Sequence, residues 1–252
     1  MQCNKEHIDK GKAPPLEPFY IEPNENHIYK ITCSAGHEVY HAPQELKFEI
    51  LFEIGCHAII DGYYREAVSS FTSALERFYE FYIKVLSHKN ELNNDIYSKS
   101  WGKIKNMSER QLGAFIMLWT MEFQAPPETL SDSQIALRNS VIHKGRIPTK
   151  EEALKYGNEI LSIINEQLTL ITEKYSDEVD IIIRDHVRRV RDLVPDDATR
   201  SFGTQGTLIS LAKAGKTTSI EAGIEHIETF RKGIKQAQEL MPLIQALQGK
   251  NN

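Results

Sequence analysis

The chain has 252 residues, 40% of them hydrophobic and 26% charged, enough to bury one sizeable core. Thirty Lys and Arg against 35 Asp and Glu leave a formal charge of −5, which excludes a uniformly basic coat for charge-driven nucleic-acid binding. The longest apolar run, Ala114–Trp119, is far short of the roughly 18 residues of a membrane span; the first residues carry no apolar leader, and three cysteines cannot frame a disulfide scaffold. The expectation is a soluble, cytoplasmic protein with no membrane partner.

Residues 1–43 hold five of the ten prolines and four of the nine histidines, with no long periodic stretch, and read as a small irregular module. Cys3 and His7 are spaced C-x3-H, and Cys33 and His37 repeat that spacing inside TCSAGHE. Two Cys and two His suit a closed tetrahedral zinc site, which would order a segment poor in apolar surface, and Gly36 would let the backbone curl toward the ion. His27 and His41 could replace either histidine. The expected role of this zinc is structural.

From Gln44 onward the pattern is helical. Leu46, Ile50, Ile54 and Ala58 predict a helix ending at Asp61-Gly62. Cys56 lies on it as a small core residue. A second helix is predicted over 64–85, where apolar residues from Tyr64 to Val85 recur every three or four positions. Three hydroxyl residues, Ser108, Ser131 and Thr149, each precede Gln or Glu by three positions, the capping-box pattern, and predict three helix starts. The first of these helices stops before Ala125-Pro126-Pro127, the second at Gly145 and Pro148. The third carries an apolar stripe from Ala153 to Ile171.

Beyond Tyr175, Val179, Ile182, Ile183, Val190 and Leu193 form another stripe, a loop follows over 195–206, and a last helix runs from Ile220 until Pro242 kinks or ends it. No strand is expected after residue 43. The predicted architecture is all-α: an irregular module at 1–43, a helical bundle at 44–174 and a helical C-terminal extension at 175–252.

The segment Arg138-Asn139-Ser140-Val141-Ile142-His143, followed by Lys144-Gly145-Arg146, closes the helix that starts after Ser131. Arg138 and His143 sit about 140° apart on an ideal helix, whereas Asn139 and His143 share a face. Histidine can take or give a proton near neutrality, and arginine can hold a phosphate and stabilise charge on its oxygens. The Asn139 amide can orient the imidazole or the phosphate, and Lys144 and Arg146 are candidate phosphate contacts. That set is sufficient for RNA cleavage without a catalytic cofactor.

At RNSVIH the chain resembles the HEPN superfamily, whose all-α domains carry R-x4–6-H with a polar residue after the Arg. Residues 62–83, with Ala74-Leu75-Glu76, are similar to that family's long early helix. The resemblance covers roughly 44–174. It implies a metal-independent endoribonuclease leaving a 2′,3′-cyclic phosphate, with a composite site at a homodimer axis, in antiphage defence or a toxin–antitoxin pair with an antitoxin or regulatory protein as partner. It implies catalytic roles for Arg138 and His143 and a supporting one for Asn139; Glu76 is equally readable as a structural partner for an arginine. The alternative function is a non-catalytic nucleotide- or partner-binding scaffold. Elsewhere, Arg184, Arg188 and Arg191 form a basic stripe interleaved with Asp185 and Asp192, the mark of a solvated face. Ala214-Gly215-Lys216-Thr217-Thr218 lacks the first glycine and the preceding strand of a phosphate-binding loop.

Overall fold

In the computed structural model of the chain, residues 22–33, 35–204, 206–211 and 219–249 are described, with side chains to residue 240. They form eight helices and three short strands, and no helix is long and apolar enough to cross a membrane. The chain divides into two compact units. One comprises residues 45–184 and 206–225; the other comprises 1–44, 185–205 and 226–252.

The first unit is helical. Helix α1 (Lys47–Ile60) packs along α2 (Tyr64–Lys89), the two joined through Gly62, whose φ of +82° is a left-handed turn open to glycine without strain. Ala67, Val68, Phe71, Ala74, Leu75, Phe78, Tyr82 and Val85 are buried on α2, following the three-four spacing of the sequence. Around it lie α4 (Ser108–Phe123), α5 (Asp132–Lys144) and α6 (Lys150–Lys174). An aromatic cluster joins α2 to α4: Tyr79 stacks on Phe115 with ring centroids 4.4 Å apart, and Tyr82 meets Phe115 at 5.4 Å and Trp119 at 5.2 Å.

Only the third hydroxyl start is a complete capping box: Thr149 accepts from the Glu152 N–H while the Glu152 carboxylate accepts from the Thr149 N–H. Ser131 caps α5 without a side-chain bond, its Oγ meeting Ser133 instead, and α4 begins at Ser108 itself after Met107. The short α3 (Asn94–Trp101) shows no long apolar period. Its start is local chemistry, the Asn93 side chain accepting from the Asp95 and Ile96 N–H groups at 2.9 and 3.4 Å. Helix α7 (Ser176–Asp192) follows α6 after Tyr175, and its arginine stripe is solvated, Arg188 pairing with Asp185 and Arg191 with Asp192. Helix α8 (Ile220–Gly249) continues through Pro242 rather than ending there: a proline deletes one backbone donor, and one lost bond does not stop a helix whose neighbouring turns persist.

The second unit holds a sheet rather than an irregular module. Strands β1 (Tyr29–Thr32) and β2 (Glu38–Pro43) form an antiparallel hairpin, and β3 (Arg200–Gly203) pairs parallel to β2, with Tyr40 opposite Arg200 and Pro43 opposite Gly203. The hairpin turn is closed by the Gly36 N–H donating to the Cys33 carbonyl at 2.9 Å, with Gly36 at φ +81°. The expectation of no strand after residue 43 fails at β3 because RSFG, four residues long, is a strand only through a partner some 160 positions away.

The zinc expectation is corrected here. Cys33 and His37 do converge, Sγ to Nδ1 at 3.6 Å, but no group of three or more His, Cys, Asp or Glu side chains gathers among the described residues. Cys3 and His7 lie outside the described residues. Neither alternative histidine joins the pair. His41 Nδ1 meets Ser201 Oγ at 3.3 Å, and His27 packs edge-on against His186 with centroids 5.7 Å apart. A closed tetrahedral site needs four ligands, and the described residues do not bring even three together.

Candidate functional site

One face of α2 carries Thr72, Leu75, Glu76 and Tyr79, at helical positions i, i+3, i+4 and i+7. This face walls a cavity of about 570 Å³, closed by the start of α4, the segment before α5, and α5 itself. That volume falls within the roughly 300–1,000 Å³ of small-molecule sites. Helix α5 is suited to presenting side chains rather than filling the core: only Gln134 and Val141 are buried on it. Arg138, Asn139, His143 and Lys144 all line the cavity. The arginine and histidine, divergent on a helical wheel, thus address one space within a single chain.

Arg138 is held in place. Its Nη2 donates to Glu76 Oε1 at 3.2 Å and its Nη1 to Asn139 Oδ1 at 3.1 Å. The Asn139 carboxamide oxygen therefore steadies the guanidinium rather than the imidazole. Glu76 fills both of its sequence readings at once, pairing with an arginine and facing the cavity. The ion pair is about three-quarters buried at both ends, with side-chain exposures of 21% and 26%, so it is screened less than a surface pair.

His143 lies exposed in the last turn of α5, and neither it nor the exposed Lys144 has a hydrogen-bond or ion-pair partner among the described residues. The helix ends just beyond, at Gly145 with φ +69°, where the Gly145 and Arg146 N–H groups both donate to the Ser140 carbonyl. His143 therefore sits one residue before the last residue of the helix. Arg146 is directed elsewhere: its guanidinium pairs with Glu152, the capping-box glutamate of α6, and it is not among the cavity residues.

Behind the α2 wall, the buried Tyr156 hydroxyl meets Thr72 Oγ1 at 2.7 Å, and Thr72 donates to the Val68 carbonyl at 2.8 Å. Tyr156 is thus the donor to Thr72. Burial pushes its hydroxyl up to about 12, so it stays protonated. Tyr79 is only 4% exposed, yet it lines the cavity, and its hydroxyl makes no hydrogen bond among the described residues. Sequence reasoning singles out none of Thr72, Tyr79 and Leu112 for the site. The signal available was the mixed polar and apolar stripe Thr72, Leu75, Glu76, Tyr79 on an otherwise apolar helix face.

Chemically, the cavity offers a fork of donors held in place, an exposed imidazole and a primary ammonium, with the carboxylates of Glu76 and Glu109 and the Tyr79 phenol. No family model matches this chain, and neither the curated proteins nor the solved structures searched contain one that matches it.

Proposed function

We propose that this chain is a HEPN-type endoribonuclease that cleaves RNA through Arg138, Asn139 and His143, acting as a homodimer. The observation that carries the reading is that Arg138, Asn139 and His143 of the RNSVIH motif, and Lys144 directly after it, line one cavity beside Glu76. Arg138, pre-set by Glu76 and Asn139, holds two oxygens of the scissile phosphate, and Lys144 adds charge at the rim. His143 takes the proton of the 2′-hydroxyl as that oxygen attacks phosphorus. The P–O5′ bond breaks, and the leaving 5′-oxygen receives a proton from His143 of the partner subunit, giving a 2′,3′-cyclic phosphate and a 5′-hydroxyl. A two-fold pairing supplies the second imidazole, since one histidine cannot be base and acid in the same step. Antiphage defence or a toxin–antitoxin pair is the setting this activity suits, with an antitoxin or regulatory protein restraining it.

The test is incubation of wild type and His143→Ala with total RNA and tRNA in EDTA, followed by end-group analysis. Wild type cuts and leaves cyclic phosphates, while the variant does not; equal cutting by both, or by neither, overturns the reading. A second reading, a nucleotide- or partner-binding scaffold, is favoured by one observation: Leu75, Leu112, Leu130 and Ile135 make much of the lining apolar, and Glu76 and Glu109 oppose its cations. Growth arrest on expression, abolished by Arg138→Ala, supports the nuclease; tight co-purification with a protein and no toxicity supports the scaffold.

A further inference from the structure

Helix α8 keeps a seven-residue period from Ile220 onward. With Ile220 at position a of a heptad, Ile227 and Ile234 also fall at a, and Phe230 and Ala237 fall at d; the sequence continues with Met241 at a and Ile244 at d. The glutamates and lysines of the helix fall at b and f, and Arg231 at e, so no charged residue occupies a, d or g. Apolar residues alternating by three and four, with the charge kept to the far side, are the pattern of a helix that winds around another.

The chain's own body covers this stripe only at its start. The Ile220 N–H donates to Asn158 Oδ1 at 2.9 Å, a Cβ at Gly223 would overlap Leu208, and Ile227 is buried. Beyond Ile227 the cover stops. Phe230 is 65% exposed, Ala237 is exposed, Leu240 at g is 53% exposed, and Ile234 between them is half-buried. Association removes such a strip of apolar surface from water.

We infer that α8 is a pairing helix, its stripe from Phe230 onward packing against α8 of a second copy of this chain in a two-stranded coiled coil. Knobs of one helix fit the holes of another only where both repeat every seven residues, and an identical helix has that repeat by construction. Selective pairing with a different helix is written in opposite charges at e and g. Here Gly233, Gln238 and Leu240 stand at those positions, so no charge selects a foreign helix and none repels a copy; Arg231, the single charge there, meets only the His226 position in a parallel pair. A membrane surface is the poorer occupant: four glutamates against three cations give the outer face no attraction to anionic lipid. A closed pair is also the commonest symmetric assembly. The surface lies outside the stretch that carries RNSVIH, and the inference stands whether or not the cavity cleaves RNA.

The test is sedimentation of the full chain over a concentration series. Wild type is expected to approach twice the 28.8 kDa chain mass. Phe230→Lys and Ile234→Lys each put a charge into the seam on both copies and are expected to weaken pairing at least about tenfold. Phe230 is so exposed that its replacement spares the packing of the single chain. Gln236→Lys adds the same charge at c, on the outer side, and is expected to leave pairing within about twofold. A monomeric wild type, a trimer or larger assembly, pairing unchanged in both seam variants, or equal loss in Gln236→Lys overturns the inference. RNA cleavage by the same proteins keeps the two readings apart. Pairing lost in the seam variants with cleavage intact refutes the two-copy site and leaves the coiled coil standing; pairing unchanged in those variants, with wild type cutting and His143→Ala inert, refutes the coiled coil and leaves the nuclease standing.

Discussion

At the scale of single residues, the site depends on how one arginine is held. Arg138 uses both terminal nitrogens of its fork, toward Glu76 and Asn139, and in the proposed reaction its remaining N–H groups meet the phosphate. Lysine keeps the charge but loses the fork. Arg138→Lys is therefore expected to lower cleavage nearly as much as Arg138→Ala, and both, like His143→Ala, by about 10²–10⁴-fold in steady-state assays. A Lys variant retaining most activity would show that charge alone suffices. Glu76→Gln separates stability from function. Losing a partly buried ion pair costs about 1 kcal/mol or less by chemical denaturation, whereas the unanchored guanidinium lowers turnover by more than that stability loss implies.

At the scale of elements, two carboxylates, Glu49 and Glu122, tie parts of the first unit together, and each carries its own pH signature. Glu49 on α1 is 2% exposed and accepts from the Leu46 N–H at 2.6 Å and from the Leu211 N–H at 2.9 Å, pinning the segment 206–211 with help from Glu53, which accepts from Leu208. Burial pushes the Glu49 carboxyl up to about 7 against these donors. The folded chain thus holds this proton more tightly than the unfolded one. Its contribution is fully present below about pH 4.5 and declines as pH rises through about 7, by roughly 3 kcal/mol. Glu49→Gln is expected to flatten that decline, read as denaturant midpoints at pH 5 and pH 8; an unchanged slope would refute the assignment.

Glu122 works in the opposite sense. Burial raises its carboxyl, but Lys174 at 2.8 Å and Lys89 at 3.0 Å outweigh it and bring the group down to about 2. This contribution is present above about pH 4.5 and lost as pH falls through about 2. Glu122→Gln costs about 1 kcal/mol at neutral pH, and the difference from wild type vanishes in acid. Close approach is the third tie: a Cβ at Gly157 on α6 would overlap Phe71 and Ile220, so Gly157→Ala is expected to destabilise by about 1–3 kcal/mol in the same assay.

At the scale of the whole molecule, the proposed chemistry asks for two copies, because one His143 serves one proton at a time. Active protein is expected to sediment near twice the 28.8 kDa chain mass, with cleavage falling more steeply than in proportion to concentration on dilution. A strictly monomeric species with full specific activity would refute the composite site.

What the sequence determined by itself is the helical half of this protein. The three-four spacing of α2, the double proline after α4, Gly145 at the end of α5 and the Thr149–Glu152 box are all local signals, and local signals survive without knowledge of the fold. RNSVIH was likewise legible as a string. The tertiary structure alone decided the rest, because each remaining feature is a meeting of distant residues. Strand β3 exists only beside β2, Glu76 reaches Arg138 across 62 positions, and Arg146 turned to Glu152 instead of to the cavity. His41 meets Ser201 and His27 packs against His186, in each case across about 160 positions. Tyr79 shows the difference most plainly: it falls outside the three-four stripe of α2, and only the neighbouring helices bury it and set it at the border of a cavity.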